Sequence, residues 1–310
     1  MPPAPPPTVD PHLASDLVGP LLAVGIVLAL VILLDMGLLL AWLLREDDVR
    51  AGRKAPLFAP RWSLVHVWFS AQVVVGLVML LSLASIVATA APNLARGGSA
   101  SGSPMPAWLV ALLIIVQGAI LFLVPLYVVR RIYKLPATEL GLRAPSARGL
   151  LLAVVAGLGI LLLGHVAETG AEAVLGSLLG NETMIGLKRA TESFSPQAIL
   201  APDEVRGSPL VLLLVIVGIG IVTPIGEEMF FRGWLQRCAR QRFGPAWGVA
   251  LSAVLFALVH GGPLLVLAIV PMGVALALAY EVTGSIWTPI LMHAVNNTAA
   301  VAGIYLLGIS

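Results

Sequence analysis

Apolar runs of about twenty residues recur along this chain, and no other feature restricts its fold as strongly. A helix needs roughly 20 apolar residues to cross about 30 Å of hydrocarbon. Read against the Pro, Gly and charge clusters between them, the runs number eight, near 17–44, 63–91, 107–129, 149–167, 209–229, 247–261, 264–281 and 286–308. Only 11% of residues are charged, against about 25% in a soluble domain, so a water-exposed surface cannot be assembled from this composition. The expected class is all-α, a polytopic transmembrane helical bundle of about eight spans. Seven remain open, because Gly261-Gly262-Pro263 between the short sixth and seventh runs reads as a turn or a kink.

Residues 1–16 are proline-rich and read as a disordered lead. The first apolar run is far too long for the core of a secretory signal and is expected to be a retained span. Residues 17–130 then hold three N-terminal spans. The loop near 168–208 mixes acidic residues, short apolar stretches and prolines, and a re-entrant or interfacial helix is expected in it. No repeat of fixed period is present.

Charge placement gives an orientation. Arg45, Arg50, Arg53, Lys54 and Arg61 follow the first span, Arg130, Arg131, Lys134, Arg143 and Arg148 the third, and Arg237, Arg240 and Arg242 the fifth. The positive-inside rule makes these three loops cytoplasmic and both termini external. Nothing resembles a nucleic-acid-binding surface; the expected surroundings are a lipid bilayer. The lone cysteine, Cys238, sits among those last arginines and reads as part of a cytoplasmic loop.

An ionisable group in a membrane helix costs about 2.5–3.5 kcal/mol on insertion scales, so each one needs a reason. Glu228 and Arg232 are four apart in the order that favours a helical ion pair, which leaves Glu227, rotated about 100° around the helix, free to face elsewhere. Two adjacent carboxylates in a poor dielectric do not both ionise easily, and a carboxylate poised toward neutrality suits a base acting on water. The rival reading is that the cluster marks the end of the fifth span and snorkels to the surface. His260 lies deep in the sixth run, where a packed core histidine is the alternative, with Phe256 one turn away. His293 and Asn297 share a face of the last span, and Asn297 suits a tautomer-fixing contact, a metal contact, an oxyanion donor or a plain helix–helix hydrogen bond. Asp35, His66, His165 with Glu168, and Glu281 read as polar contacts or interfacial anchors. Counting 1.5 Å per residue puts Glu227 near the cytoplasmic end of its span but His260 about 20 Å in from Trp247, a mismatch the assembled bundle has to resolve.

Glu227-Glu228 with Arg232, Phe256 with His260, and His293 with Asn297 appear in that order. Here the chain resembles the CPBP family, the CAAX prenyl proteases and Abi-like intramembrane proteases, over roughly 135–310. Leu140-Gly141-Leu142-Arg143 is similar to a short element that often precedes the core of that family. The resemblance implies an intramembrane endopeptidase in which Glu227 activates water and His260 positions that water or binds metal. His293 and Asn297 would stabilise the oxyanion or complete a ligand set, and Glu228, Arg232 and Phe256 would support them. It implies a protein or peptide substrate, lipidated in some relatives. A divalent metal such as zinc, held by His260, His293 and Asn297, and a metal-independent glutamate mechanism both stay open. The expected location is a bacterial inner membrane with the site toward the cytoplasm. A proton- or ion-coupled transporter, and a non-catalytic bacteriocin-immunity protein, are the competing classes; the polar residues form a compact cluster rather than a pathway-long stripe.

Overall fold

The computed structural model describes residues 35–36, 64–95, 106–192, 200 and 202–308. Most of the lead and first span fall outside the described residues. Asp35 and Met36 are helical, with Asp35 half-buried. Helices make up the described structure, and no strand occurs among the described residues.

The helices are α1 (Leu64–Ala95), α2 (Ala107–Tyr127), α3 (Ala147–Leu179), α4 (Asn181–Glu192), α5 (Pro202–Gly207), α6 (Pro209–Phe243), α7 (Pro245–Leu258), α8 (Pro263–Thr283) and α9 (Trp287–Ala302). Turns of π-helix extend α2 through Val128–Ile132 and α9 through Gly303–Leu307. Among the described residues, five of these segments are long and apolar enough to cross a membrane, while α7 is a shorter apolar helix.

Large apolar side chains of α3, including Leu151, Leu152, Val155, Leu162 and Val166, are exposed, whereas Glu228 and Arg232 are fully buried. That distribution suits a lipid solvent, in which polar groups must find partners inside the bundle. Helices then approach through small residues rather than through hydrophobic drive. A methyl added at Gly157 of α3 would lie 2.7 Å from the Met292 carbonyl oxygen of α9, and one at Gly226 of α6 would collide with the Gly118 backbone of α2.

Several expectations change. The fifth span does not stop near 229: α6 runs on to Phe243, about 24 Å beyond Glu227 at 1.5 Å per residue. Polar residues that read as a helix end are internal, because the bundle gives them partners. Arg237, Arg240 and Arg242 therefore form the last turns of α6 rather than a loop, and Cys238 among them is buried. Glu281 likewise belongs to α8. The fourth span continues to Leu179, well past 167, and His165 is an exposed residue within it.

Gly261 and Gly262 both take positive φ, 69° and 65°, and with Pro263 they reverse the chain between α7 and α8. This is the turn rather than the kink. The loop near 168–208 holds α4 and α5. Glu204 of α5 accepts the Ala107 amide at the start of α2 (2.8 Å), and Arg206 donates to the Ile304 and Tyr305 carbonyls at the end of α9 (2.8 and 3.2 Å). An acid thus meets a helix N-terminus and a base meets a C-terminus, where the orphan backbone groups and the helix dipoles call for them.

Candidate active site

Three helices and one turn converge on Glu227. The middle of α6 supplies Glu227, Glu228 and Arg232, the end of α7 supplies Phe256, the following turn His260, and α9 His293. The continuation of α6 removes the depth mismatch, since Glu227 lies well inside its helix and meets His260 there.

Glu228 anchors the cluster. Its Oε1 accepts from Arg232 Nη1 and from His293 Nδ1, both at 2.9 Å. Arg232 also donates to the Gly273 carbonyl of α8 (3.2 Å) and stands over the Phe256 ring, 4.3 Å from its centroid. The Phe256 ring in turn packs against both imidazoles, with centroid separations of 4.6 Å to His260 and 5.6 Å to His293. A guanidinium with a carboxylate, a carbonyl and an aromatic face as neighbours has what a buried charge needs. The snorkelling reading fails, as Arg232 and Glu228 are 0% exposed.

These contacts set the imidazole tautomers. His260 Nδ1 faces the Phe256 carbonyl at 2.7 Å, an acceptor, and His293 Nδ1 faces the Glu228 carboxylate. Each neutral ring therefore carries its proton on Nδ1 and presents a lone pair at Nε2. Both Nε2 atoms face Glu227 Oε2, at 3.9 Å for His260 and 3.8 Å for His293. That oxygen is buried and accepts no hydrogen bond among the described residues. Three acceptors thus face one another at distances that a shared proton donor would bridge. His260 is the most open of the three, its side chain 25% exposed against 2% for His293.

One carboxylate oxygen and two imidazole nitrogens are also zinc-type donors. Chemically the set fits a divalent ion, although among the described residues no three such side chains are gathered tightly enough to hold one as they stand. Asn297 is turned to other partners in this structure. Its Nδ2 donates to the Ile219 carbonyl of α6 (3.1 Å) and its Oδ1 accepts from Asn296 (3.0 Å), which ties α9 to α6.

Residues 209–299 match the family described as Type II CAAX prenyl endopeptidase Rce1-like, a stretch that contains all three motifs. Residues 209–299 are thus similar to that endopeptidase family. Among curated proteins, "Putative membrane peptidase YdiL" of Bacillus subtilis (strain 168) is 33% identical over 110 residues, 36% of this chain and 43% of that relative. The aligned region thus spans less than half of the relative's length. No solved structure matches the chain.

Sequence spacing missed two polar contacts of α6. Glu228 serves His293 as well as Arg232, a contact between residues 65 apart that no local pattern encodes. Gln236 continues the polar face of α6, donating to the Ala277 carbonyl of α8 (3.0 Å); its i+4 spacing from Arg232 was the available signal.

Proposed function

We propose that the protein is an intramembrane endopeptidase that hydrolyses peptide bonds of membrane-associated protein or peptide substrates with a water activated by Glu227. One observation carries the reading: Glu227 Oε2, buried and without a hydrogen-bond donor among the described residues, faces the Nε2 atoms of His260 and His293 at 3.9 and 3.8 Å. The match to a CAAX-type endopeptidase family over the same helices supports it.

Glu227 accepts a proton as the water oxygen attacks the scissile carbonyl carbon. With one proton directed to Glu227, that water donates its other proton to the Nε2 of one imidazole, so attack starts from a fixed geometry rather than from bulk solvent. The proton then passes from Glu227 to the departing amide nitrogen as the C–N bond breaks. No acyl-enzyme forms. Glu228 positions His293 and neutralises Arg232, and Phe256 holds both rings. Asn297 is assigned a positioning role, keeping α9 in register with α6. Glu227, His260 and His293 are the side chains that would hold a divalent ion such as zinc, which when bound would supply a Lewis acid for the carbonyl.

The substrate is assigned as membrane-associated because Glu227 lies inside the bundle, and the location assigned is a bacterial inner membrane with the Arg237, Arg240 and Arg242 end of α6 on its cytoplasmic face. The test is incubation of purified, reconstituted protein with a peptide library, with and without a chelator, read by mass spectrometry. Peptide cleavage is expected. Ion flux in the same proteoliposomes with no cleavage would reject the protease in favour of a transporter.

A further inference from the structure

A second polar site lies at the far end of α6, away from the Glu227 cluster. A cavity of about 150 Å³ there is lined by Arg143, Gln236, Arg237, Arg240, Tyr280 and Glu281. Leu140–Arg143 is fixed against the end of α8 by its backbone. The Gly141 carbonyl accepts from the Ile286 amide (2.9 Å), and the Arg143 carbonyl accepts from Ser285 Oγ (2.7 Å). Gly141 takes a φ of 82°, and a methyl on it would strike the Tyr280 ring. Glycine at this position thus lets the 3-10 turn Ala137–Leu140 end against Tyr280 and deliver Arg143 to the cavity.

The wall is built rather than incidental. Gln236 is 0% exposed; its Nε2 bonds the Ala277 carbonyl, while its Oε1 is buried and without a partner among the described residues. Arg240 Nε donates to Glu281 Oε1 (2.7 Å), and Arg237 contacts Glu139 (3.4 Å) and Tyr280 Oη (3.5 Å). Arg143 adds a third guanidinium beyond the Arg240–Glu281 and Arg237–Glu139 pairs and gives the cavity a surplus of positive charge. Guanidinium groups favour phosphate oxygens over other anions of this size because the planar fork matches them.

Both α6 and α8 end beside this cavity, the one at Phe243 and the other at Thr283. Such a depth is where lipid phosphates lie, and basic pockets between membrane helices on the cytoplasmic side take up phospholipid headgroups. We infer that the cavity walled by Arg143, Arg237 and Arg240 binds the phosphate of a phospholipid headgroup. The Leu140–Arg143 element then has a job of its own, apart from hydrolysis.

The experiment titrates the full-length purified protein with phosphatidylglycerol and counts bound lipid by native mass spectrometry. Wild type is expected to hold one tightly bound lipid per chain. The double variant Arg143→Gln/Arg240→Gln is expected to bind at least tenfold more weakly. Arg130→Gln/Arg131→Gln, which removes equal charge from a different cavity, is expected to bind as wild type does. Glu281→Gln removes the opposing carboxylate and should bind several-fold more tightly, an outcome that misfolding cannot imitate. Equal loss in the two double variants, or unchanged binding in Glu281→Gln, would overturn the proposal. Displacement of the lipid by inorganic phosphate at matched concentration would overturn the lipid assignment in favour of a soluble anion.

Discussion

His293 Nδ1 and Glu228 Oε1 meet at 2.9 Å in the interior of the bundle, and the same oxygen accepts from Arg232 at 2.9 Å. One carboxylate oxygen therefore joins α6 to α9 and balances a guanidinium with no exposure to solvent. Removing it strands a buried cation. Glu228→Ala is expected to cost about 3–5 kcal/mol, as single-sided loss of a buried pair does, and to lower the melting temperature in detergent sharply. Glu228→Gln, which keeps an acceptor for both donors, should lose much less stability while losing activity through His293. Equal melting temperatures for Glu228→Ala and wild type would refute the anchoring role.

The α2–α6 contact depends on the absence of side chains. A methyl at Gly226 would collide with the Gly118 backbone, and Gly226 immediately precedes Glu227. Gly226→Ala is expected to cost about 1–3 kcal/mol through forced backbone shifts and to depress activity by displacing Glu227. Substitution of Gly164, where a methyl meets nothing within 4 Å, should leave both unchanged. Melting curves and cleavage rates for the pair check this.

Glu204 acts on the opposite end of the bundle. Its carboxylate accepts the Ala107 amide at the start of α2, so Glu204→Ala should cost about 1 kcal/mol, in the range of a lost N-terminal cap. Hydrogen exchange should rise at the first turn of α2 and stay unchanged around Glu227. Faster exchange spread evenly over the chain would contradict a local cap.

The bundle and its chemistry were legible to different depths. Apolar runs revealed the helices, and the Glu228–Arg232 ion pair followed from four-residue spacing. Span ends were misread wherever a charge had a tertiary partner. Arg232 looked like a helix terminus because sequence alone hides the Gly273 carbonyl and the Phe256 ring that accommodate it. Asn297 read as a site residue because its spacing from His293 is right, yet its amide is directed to the Ile219 carbonyl, 78 residues away. The convergence of Glu227, His260 and His293 is a property of helix packing; the polar residues indicated which groups to watch, but not how close they come.

The cleavage rate of Glu227→Gln relative to wild type bears most directly on the proposed role of Glu227 beside the two imidazoles. Glu227 Oε2 has no hydrogen bond to lose among the described residues, so the variant should melt at the wild-type temperature. Its rate should fall at least 100-fold, the lower end of what a general base contributes. A folded Glu227→Gln protein that cleaves within threefold of wild type would contradict the account.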